Sequence, residues 1–325
     1  MASAEQIKAL LKTHSERDEQ RFYSIALQVA ASEARKGHHK LADEIKTLVE
    51  KNQFKPNIAA VPSTTPFIKP QRGDLNGLLE ISHPSIKFSE LVFSSDVDSR
   101  LHRIILEQRQ KAKLSQHGLV PRRKVLFIGP PGTGKTMSAA LLAAELKLPL
   151  YKVVLDSLIT RYMGETASKL RLIFDHIAQT RAVYLFDEFD AIGTQRGAAN
   201  DVGEIRRVLN SFLLFFEQDT SESIICAATN HPELLDKALY RRFDDIVKFE
   251  KPDAKQVKKI IMNRLASFES GALDWQSILK AANGLSCAEI VRACEDAAKN
   301  AILENTGLET NGFIRALEYR GAGSF

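Results

Sequence analysis

The sequence predicts an α/β protein: a parallel sheet covered by helices, followed by a small all-helical domain and preceded by a small helical module. Three observations lead there. Short apolar runs alternate with helical patterns from about residue 85 onward. Beyond Pro252 the pattern is helical only. Ahead of both, prolines 56, 62, 66 and 70 interrupt the chain and set an N-terminal helical stretch apart.

The elements follow in order. Within residues 1–52, Ser15 with Asp18 reads as a helix start, and Phe22, Ile25, Val29 and Ala30 recur at helical spacing. Leu41, Ile45, Leu48 and Val49 form a second apolar face, so this segment is expected to be a helical module that binds a partner or client. Residues 53–84 read as a linker, because proline removes backbone donors and blocks helices. Over 85–250, Lys124–Ile128, Leu150–Leu155, Ala182–Phe186, Ser223–Ala228 and Ile246–Phe249 read as strands, with helices at Lys135–Leu146 and Ser168–Gln179. Near-continuous apolar strands alternating with helices imply a parallel sheet buried on both faces. Over 251–325, Ala254–Ser267, Trp275–Ala282, Ser286–Asn305 and Gly312–Tyr319 read as the helices of a lid-sized domain.

Composition narrows the function classes. The chain has 325 residues, 44% hydrophobic and 26% charged, which suits two or three globular domains and not a disordered chain. No apolar run approaches the ~18 residues a membrane helix needs. The N-terminus shows no signal-peptide core, and Cys226, Cys287 and Cys294 lack metal-ligand spacing. A soluble protein of a reducing compartment, the cytoplasm, is expected. The net charge of +5 is mild, and its densest cluster, Arg122, Arg123 and Lys124, reads as a solvated strand entrance more readily than a nucleic-acid patch.

Chemistry concentrates in two strings. GPPGTGKT, residues 129–136, lies between a strand and a helix and fits G-x-x-x-x-G-K-[ST] in the context that motif requires. Gly129, Gly132 and Gly134 let the backbone, with Pro130, Pro131 and Thr133, wrap phosphates closely; the helix start at Lys135, Thr136 and Met137 offers free N–H groups and a positive dipole end. Lys135 would reach the β- and γ-phosphates of ATP, and Thr136 would offer its hydroxyl to Mg²⁺. VYLFDEFD, residues 183–190, ends an apolar strand in carboxylates, where α/β sheets bind ligands. Asp187 is expected in the Mg²⁺ shell, Glu188 at the attacking water, and Asp190 as a helix cap or ion-pair partner.

With these strings the chain resembles the AAA family of ATPases, of the protein-remodelling type with one AAA module, from about residue 88 to 305. GPPGTGKT resembles Walker A and VYLFDEFD Walker B. AATN, residues 227–230, resembles sensor 1, which implies Asn230 near the γ-phosphate. LDKALYRRFDDIVKF, residues 235–249, resembles the second region of homology, which implies Arg241 and Arg242 as arginine fingers. Read without that motif, the two would be surface arginines bridging Asp244 or Asp245. GLSCAEIVRACEDAA, residues 284–298, resembles the lid helix, though Cys287 and Ala288 stand where Gly-Ala is usual and Ala288 replaces a sensor 2 arginine. Adenine contacts near Gly284 and Ala288 are implied. TRYMGETASKLRLIFD, residues 160–175, resembles a first pore loop, with Arg161, Tyr162, Met163 and Gly164 toward a channel. GTQRGAAND, residues 193–201, resembles a second, with Arg196 as its contact.

The resemblance implies a homo-oligomer, usually a hexameric ring, that hydrolyses ATP with Mg²⁺ to unfold or remodel protein clients. A dedicated switch acting on one partner, such as a protease or effector, is the alternative. A DNA-acting loader and a catalytically dead structural ring fit less well.

Overall fold

A computed structural model describes residues 75, 77–158, 165–193, 202–235, 237–266, 268, 273–304 and 307–322. The expected helical module at 1–52 lies outside the described residues. Strand β1 (Leu79–Ser82) is followed by helices α1 (Ser95–Arg109) and α2 (Lys111–Gln116). Strand β2 (Lys124–Ile128), helix α3 (Lys135–Leu146), strand β3 (Leu150–Val153), helix α4 (Glu165–Gln179) and strand β4 (Val183–Phe186) come next. Helix α5 (Val202–Gln218) leads to β5 (Ile224–Thr229) and β6 (Asp245–Lys248). Helices α6 (Ala254–Arg264), α7 (Trp275–Ala281), α8 (Cys287–Leu303) and α9 (Thr310–Ala322) complete the described chain.

The strands form one sheet in the order β1-β3-β4-β5-β2-β6. All neighbours are parallel except β1, which runs antiparallel to β3 with Leu79 opposite Val153. β1 lies inside the proline-containing segment 53–84, so the last part of that segment is a sheet edge. Four residues, LEIS, between turn residues carry too short an alternation to announce a strand. The chain leaves β2 for β3, crossing β4 and β5, and later leaves β5 for β6 on the other side of β2. The crevice at the carboxyl ends of β2, β5 and β4 is therefore the topological switch point.

Side-chain alternation explains why the sheet is covered twice. Leu126, Tyr184, Phe186, Ile225 and Ala227 pack with Phe174 of α4 and Phe212 and Phe216 of α5 on one face. Val125, Phe127, Val183, Leu185, Cys226 and Ala228 pack with Leu101, Ile104 and Ile105 of α1 and Leu141 and Leu142 of α3 on the other. Central β4 and β5 are buried along their whole length, and burial pushes the Cys226 thiol well above its ordinary value. A third cluster, with Ile261, Ile278, Ile290, Phe313 and Leu317, fills the space between α6, α7, α8 and α9.

The helix ends follow from their caps. The Ser94 side chain accepts from the Val97 N–H ahead of α1. Asp253 with Gln256 and Ser286 with Glu289 form capping boxes that start α6 and α8. Boundaries shift by a few residues from those expected: α4 starts at Glu165 where Ser168 was expected, and α6 ends at Arg264 where Ser267 was.

The basic cluster ahead of β2 is neutralised from within. Arg122 Nη1 lies 2.8 Å from Asp245 Oδ2, and Arg100 Nη1 lies 2.6 Å from Asp245 Oδ1. Arg123 pairs with Asp219, and Lys124 Nζ donates to the Phe216 carbonyl while lying over its ring. Asp244 accepts from the backbone N–H groups of Arg123 and Lys124, each at 2.9 Å.

Candidate nucleotide site

The loop after β2 is shaped by two glycines that tolerate no side chain. A Cβ on Gly129, at φ +145°, would lie 2.2 Å from the Phe249 carbonyl oxygen. A Cβ on Gly132, at φ +72°, would lie 2.6 Å from Ser286 Oγ and 3.2 Å from the Ala288 Cβ. Left-handed backbone and close approach together admit glycine alone. Gly134, also left-handed, caps α3, whose first-turn N–H groups face the loop. Thr133 Oγ1 donates to the Pro130 carbonyl at 2.8 Å and tightens the turn. Pro130 and Met137 are half-buried, and Pro131 is exposed.

Lys135 is buried in this loop. Its Nζ donates to the carbonyls of Gly129 and Pro130, each at 2.7 Å. Burial holds its pKa below the ordinary lysine value, against the pull of Asp187 and Asp190. Thr136 Oγ1 donates to Asp187 Oδ2 at 3.1 Å, joining the start of α3 to the end of β4. A hydroxyl and a carboxylate are hard oxygen donors of the kind Mg²⁺ selects. The cradle, the ammonium and these two oxygens fit a phosphate chain with its metal.

The turn after β4 is pinned on both sides. The Glu188 N–H donates to Asp187 Oδ1 at 3.1 Å, and the Phe189 N–H to the Ala228 carbonyl at 2.8 Å. Phe189 is fully buried against Phe186 and Phe212. Anchoring Phe189 inward turns Glu188 outward at φ +52°, the left-handed region, which costs a non-glycine residue ~1–2 kcal/mol. Its carboxylate is exposed at the crevice. Asp190 opens a one-turn helix at Asp190–Gly193 and accepts from Thr229 Oγ1 at 2.7 Å. That bond ties the β4 turn to the end of β5, where Asn230 stands half-buried.

The start of α8 docks on the loop. The Ala288 N–H donates to the Gly132 carbonyl at 3.0 Å. Gly284, left-handed at φ +80°, is exposed and its carbonyl accepts from Lys251 Nζ at 2.6 Å. Between them, Cys287 is partly shielded, which pushes its thiol up to about 11.

Arg241 and Arg242 follow the short helix Lys237–Tyr240. Arg241 is exposed. Arg242 pairs with Glu217 at the end of α5. Asp244 and Asp245, the carboxylates a surface reading offers these arginines, hold the strand entrance through Arg100, Arg122, Arg123 and Lys124. Arg161, Tyr162, Met163, Gly164 and Arg196 lie outside the described residues. One residue escaped the sequence reading: Lys152 of β3 lies 3.4 Å from Asp187 Oδ2. Its signal is a lone lysine in the run LYKVV.

Comparison with known proteins agrees with this geometry. The model of the "ATPase family associated with various cellular activities (AAA)" matches residues 125–251. The AAA family ATPase y4kL of Sinorhizobium fredii is 35% identical over 319 residues, covering 98% of this chain and 95% of that protein. The chain belongs to the AAA family of ATPases. Other AAA relatives include the ATP-dependent zinc metalloprotease FtsH of Helicobacter felis, 32% identical over 70% of this chain. The chain spans 37% of that protein's length. The crystal structure of the FIGL-1 AAA domain superposes with a TM-score of 0.61 at 21% identity, covering 75% of this chain and 86% of that one, a likeness of fold. No helix among the described residues is long and apolar enough to cross a membrane.

Proposed function

We propose that this AAA ATPase hydrolyses ATP with Mg²⁺ and uses the cycle to unfold or remodel protein clients. The observation that carries the hydrolytic part is the Thr136–Asp187 hydrogen bond beside the buried Lys135, which joins loop and acidic strand into one phosphate-facing set. In this reading the loop N–H groups and Lys135 hold the phosphates, while Thr136 and Asp187 hold the metal. When bound, Mg²⁺ neutralises charge on the transferring phosphoryl group. Glu188, exposed at the crevice on its left-handed turn, orients and deprotonates the attacking water. Asn230 fixes that water from the end of β5. Gly284 and Ala288 border the base.

Arg241 or Arg242 is assigned to the neighbouring subunit's nucleotide in a ring, six subunits being the usual number in the family. The exposure of Arg241 supports it as the first choice, since Arg242 is held by Glu217. A protein client is preferred to nucleic acid because the densest basic run is neutralised by Asp219, Asp244 and Asp245. The FtsH relatives are ATP-dependent proteases by name; the ATP-driven handling of protein is what we carry over, placed in the cytoplasm. Arg161, Tyr162, Met163, Gly164 and Arg196 are assigned to client contact. The domain division at 52, 84 and 250 goes with this reading: client or partner selection, tether, motor and lid.

The test is Glu188→Gln. It is expected to bind ATP, to stop phosphate release, and to accumulate as a ring by light scattering. Retained turnover in Glu188→Gln overturns the assignment of the base, and Lys135→Ala that still binds nucleotide overturns the site.

A further inference from the structure

Two groups converge on one oxygen just past the end of β4. Asp187 Oδ2 accepts from Thr136 Oγ1 at 3.1 Å and faces Lys152 Nζ at 3.4 Å. Lys152 reaches it through the sheet's own geometry. Tyr151 and Val153 point to the face covered by α4 and α5, whereas Leu150 points to the α3 face. Alternation therefore sends Lys152 out on the α3 side, where the phosphate loop lies. Its register partner on β4 is Leu185, which faces the same way and precedes Asp187 by one full alternation. The ammonium thus extends along the strand direction to Asp187, and both side chains are only partly exposed, 34% and 20%.

On the sheet itself Lys152 stands opposite Glu80 of β1, a cross-strand pair of opposite charge, and its ammonium also lies 3.4 Å from Asp187 Oδ2. The strand's other residues are apolar and buried or nearly so. What the ammonium meets is the carboxylate assigned to the metal, on the oxygen that also holds the threonine. A divalent cation arriving at that oxygen meets a positive charge already on it.

We infer that Lys152 is a positioning residue for Asp187, holding its carboxylate toward Thr136 in the metal-free site and competing with Mg²⁺ for the same oxygen. This rests on the ATPase reading. Two consequences of opposite sign follow. Without Lys152, Mg²⁺ binds more readily, because no ammonium need be displaced. Nucleotide without metal binds less well, because Asp187 then faces the phosphates with only Lys135 left to offset its charge.

The experiment uses the full chain, a fluorescent ADP, and Lys152→Met, which keeps the stem and removes the charge. Nucleotide affinity is titrated in EDTA, and Mg²⁺ is then titrated into the complex. The Mg²⁺ midpoint is expected to fall by on the order of fivefold in Lys152→Met, the upper range for a partly exposed pair. The EDTA affinity is expected to weaken severalfold. Lys152→Arg, which keeps the charge, is expected to stay near the unsubstituted protein on both readouts. A loosened fold would weaken both quantities together, so the opposed signs separate positioning from structural damage. An unchanged or raised Mg²⁺ midpoint in Lys152→Met overturns the inference while leaving the ATPase reading standing. An unsubstituted protein that binds no fluorescent ADP overturns both.

Discussion

Gly132→Ala tests the contact between loop and lid. Two costs add. Alanine at φ +72° pays ~1–2 kcal/mol for the left-handed backbone. Its methyl would also stand 2.6 Å from Ser286 Oγ and 3.1 Å from the Ser286 Cβ, so either the loop or the start of α8 must move. Movement of α8 endangers the Ala288–Gly132 hydrogen bond, worth ~1 kcal/mol. The sum is about 2–3 kcal/mol, read as a lower urea midpoint with unchanged slope. Ser286→Gly removes the obstructing atoms, and glycine costs only a few tenths of a kcal/mol at an N-cap. The double variant Gly132→Ala with Ser286→Gly should therefore be more stable than the sum of the singles by ~1 kcal/mol. Additivity within ~0.5 kcal/mol would mean that the two groups do not press on one another, and the reasoning from close approach would fail.

Other consequences can be read from equally local features. His176 Nε2 is buried without a hydrogen-bond partner, its ring 5.0 Å from that of Tyr151 and 5.9 Å from that of Tyr184. His176→Phe should stabilise the protein by ~1 kcal/mol in chemical unfolding at neutral pH, since it removes an unsatisfied polar atom. Burial also holds the His176 pKa below its ordinary 6.5, so below that pH the unfolded chain takes up a proton that the folded one resists. Stability is thus lost as pH falls from 6.5 toward the folded-state value, and His176→Phe should flatten that loss in pH-dependent melts. Asp245→Asn leaves two arginines short of a carboxylate; because both are partly exposed, the cost should be ~1–2 kcal/mol by urea titration and not the larger penalty of a buried charge. Glu188→Gly should raise the melting temperature while abolishing turnover, and a lower melting temperature would show that the left-handed turn carries no strain.

Much of the site was legible because its signals are local. GPPGTGKT reads as a loop between strand and helix from eight consecutive residues, and Gly129 and Gly132 prove to be where no Cβ fits. Asp187 was placed by its position at a strand end. The rest depends on register, which no single segment encodes. Lys152 meets Asp187 only because β3 pairs with β4 with Lys152 opposite Leu185. Asp244 and Asp245 follow the two arginines in sequence, yet β6 lies beside β2 and delivers them to Arg122, Arg123 and Lys124. Arg242 meets Glu217, 25 residues earlier, through the end of α5. Strand β1 escaped because its partner, β3, supplies the order that its own four residues do not. Helix α1 is amphipathic and well capped by Ser94, but it falls outside the motifs that organised the reading.

The left-handed turn at Glu188 also bears on how this protein would change under selection. A glutamate codon becomes a glycine codon by one transition, and that change relieves the backbone at the position where the chemistry is assigned. A population screened for heat tolerance alone would drift toward that mutation and lose activity in doing so. A screen that couples survival to ATP turnover would have to find its stability elsewhere, for instance at the orphaned ring nitrogen of His176.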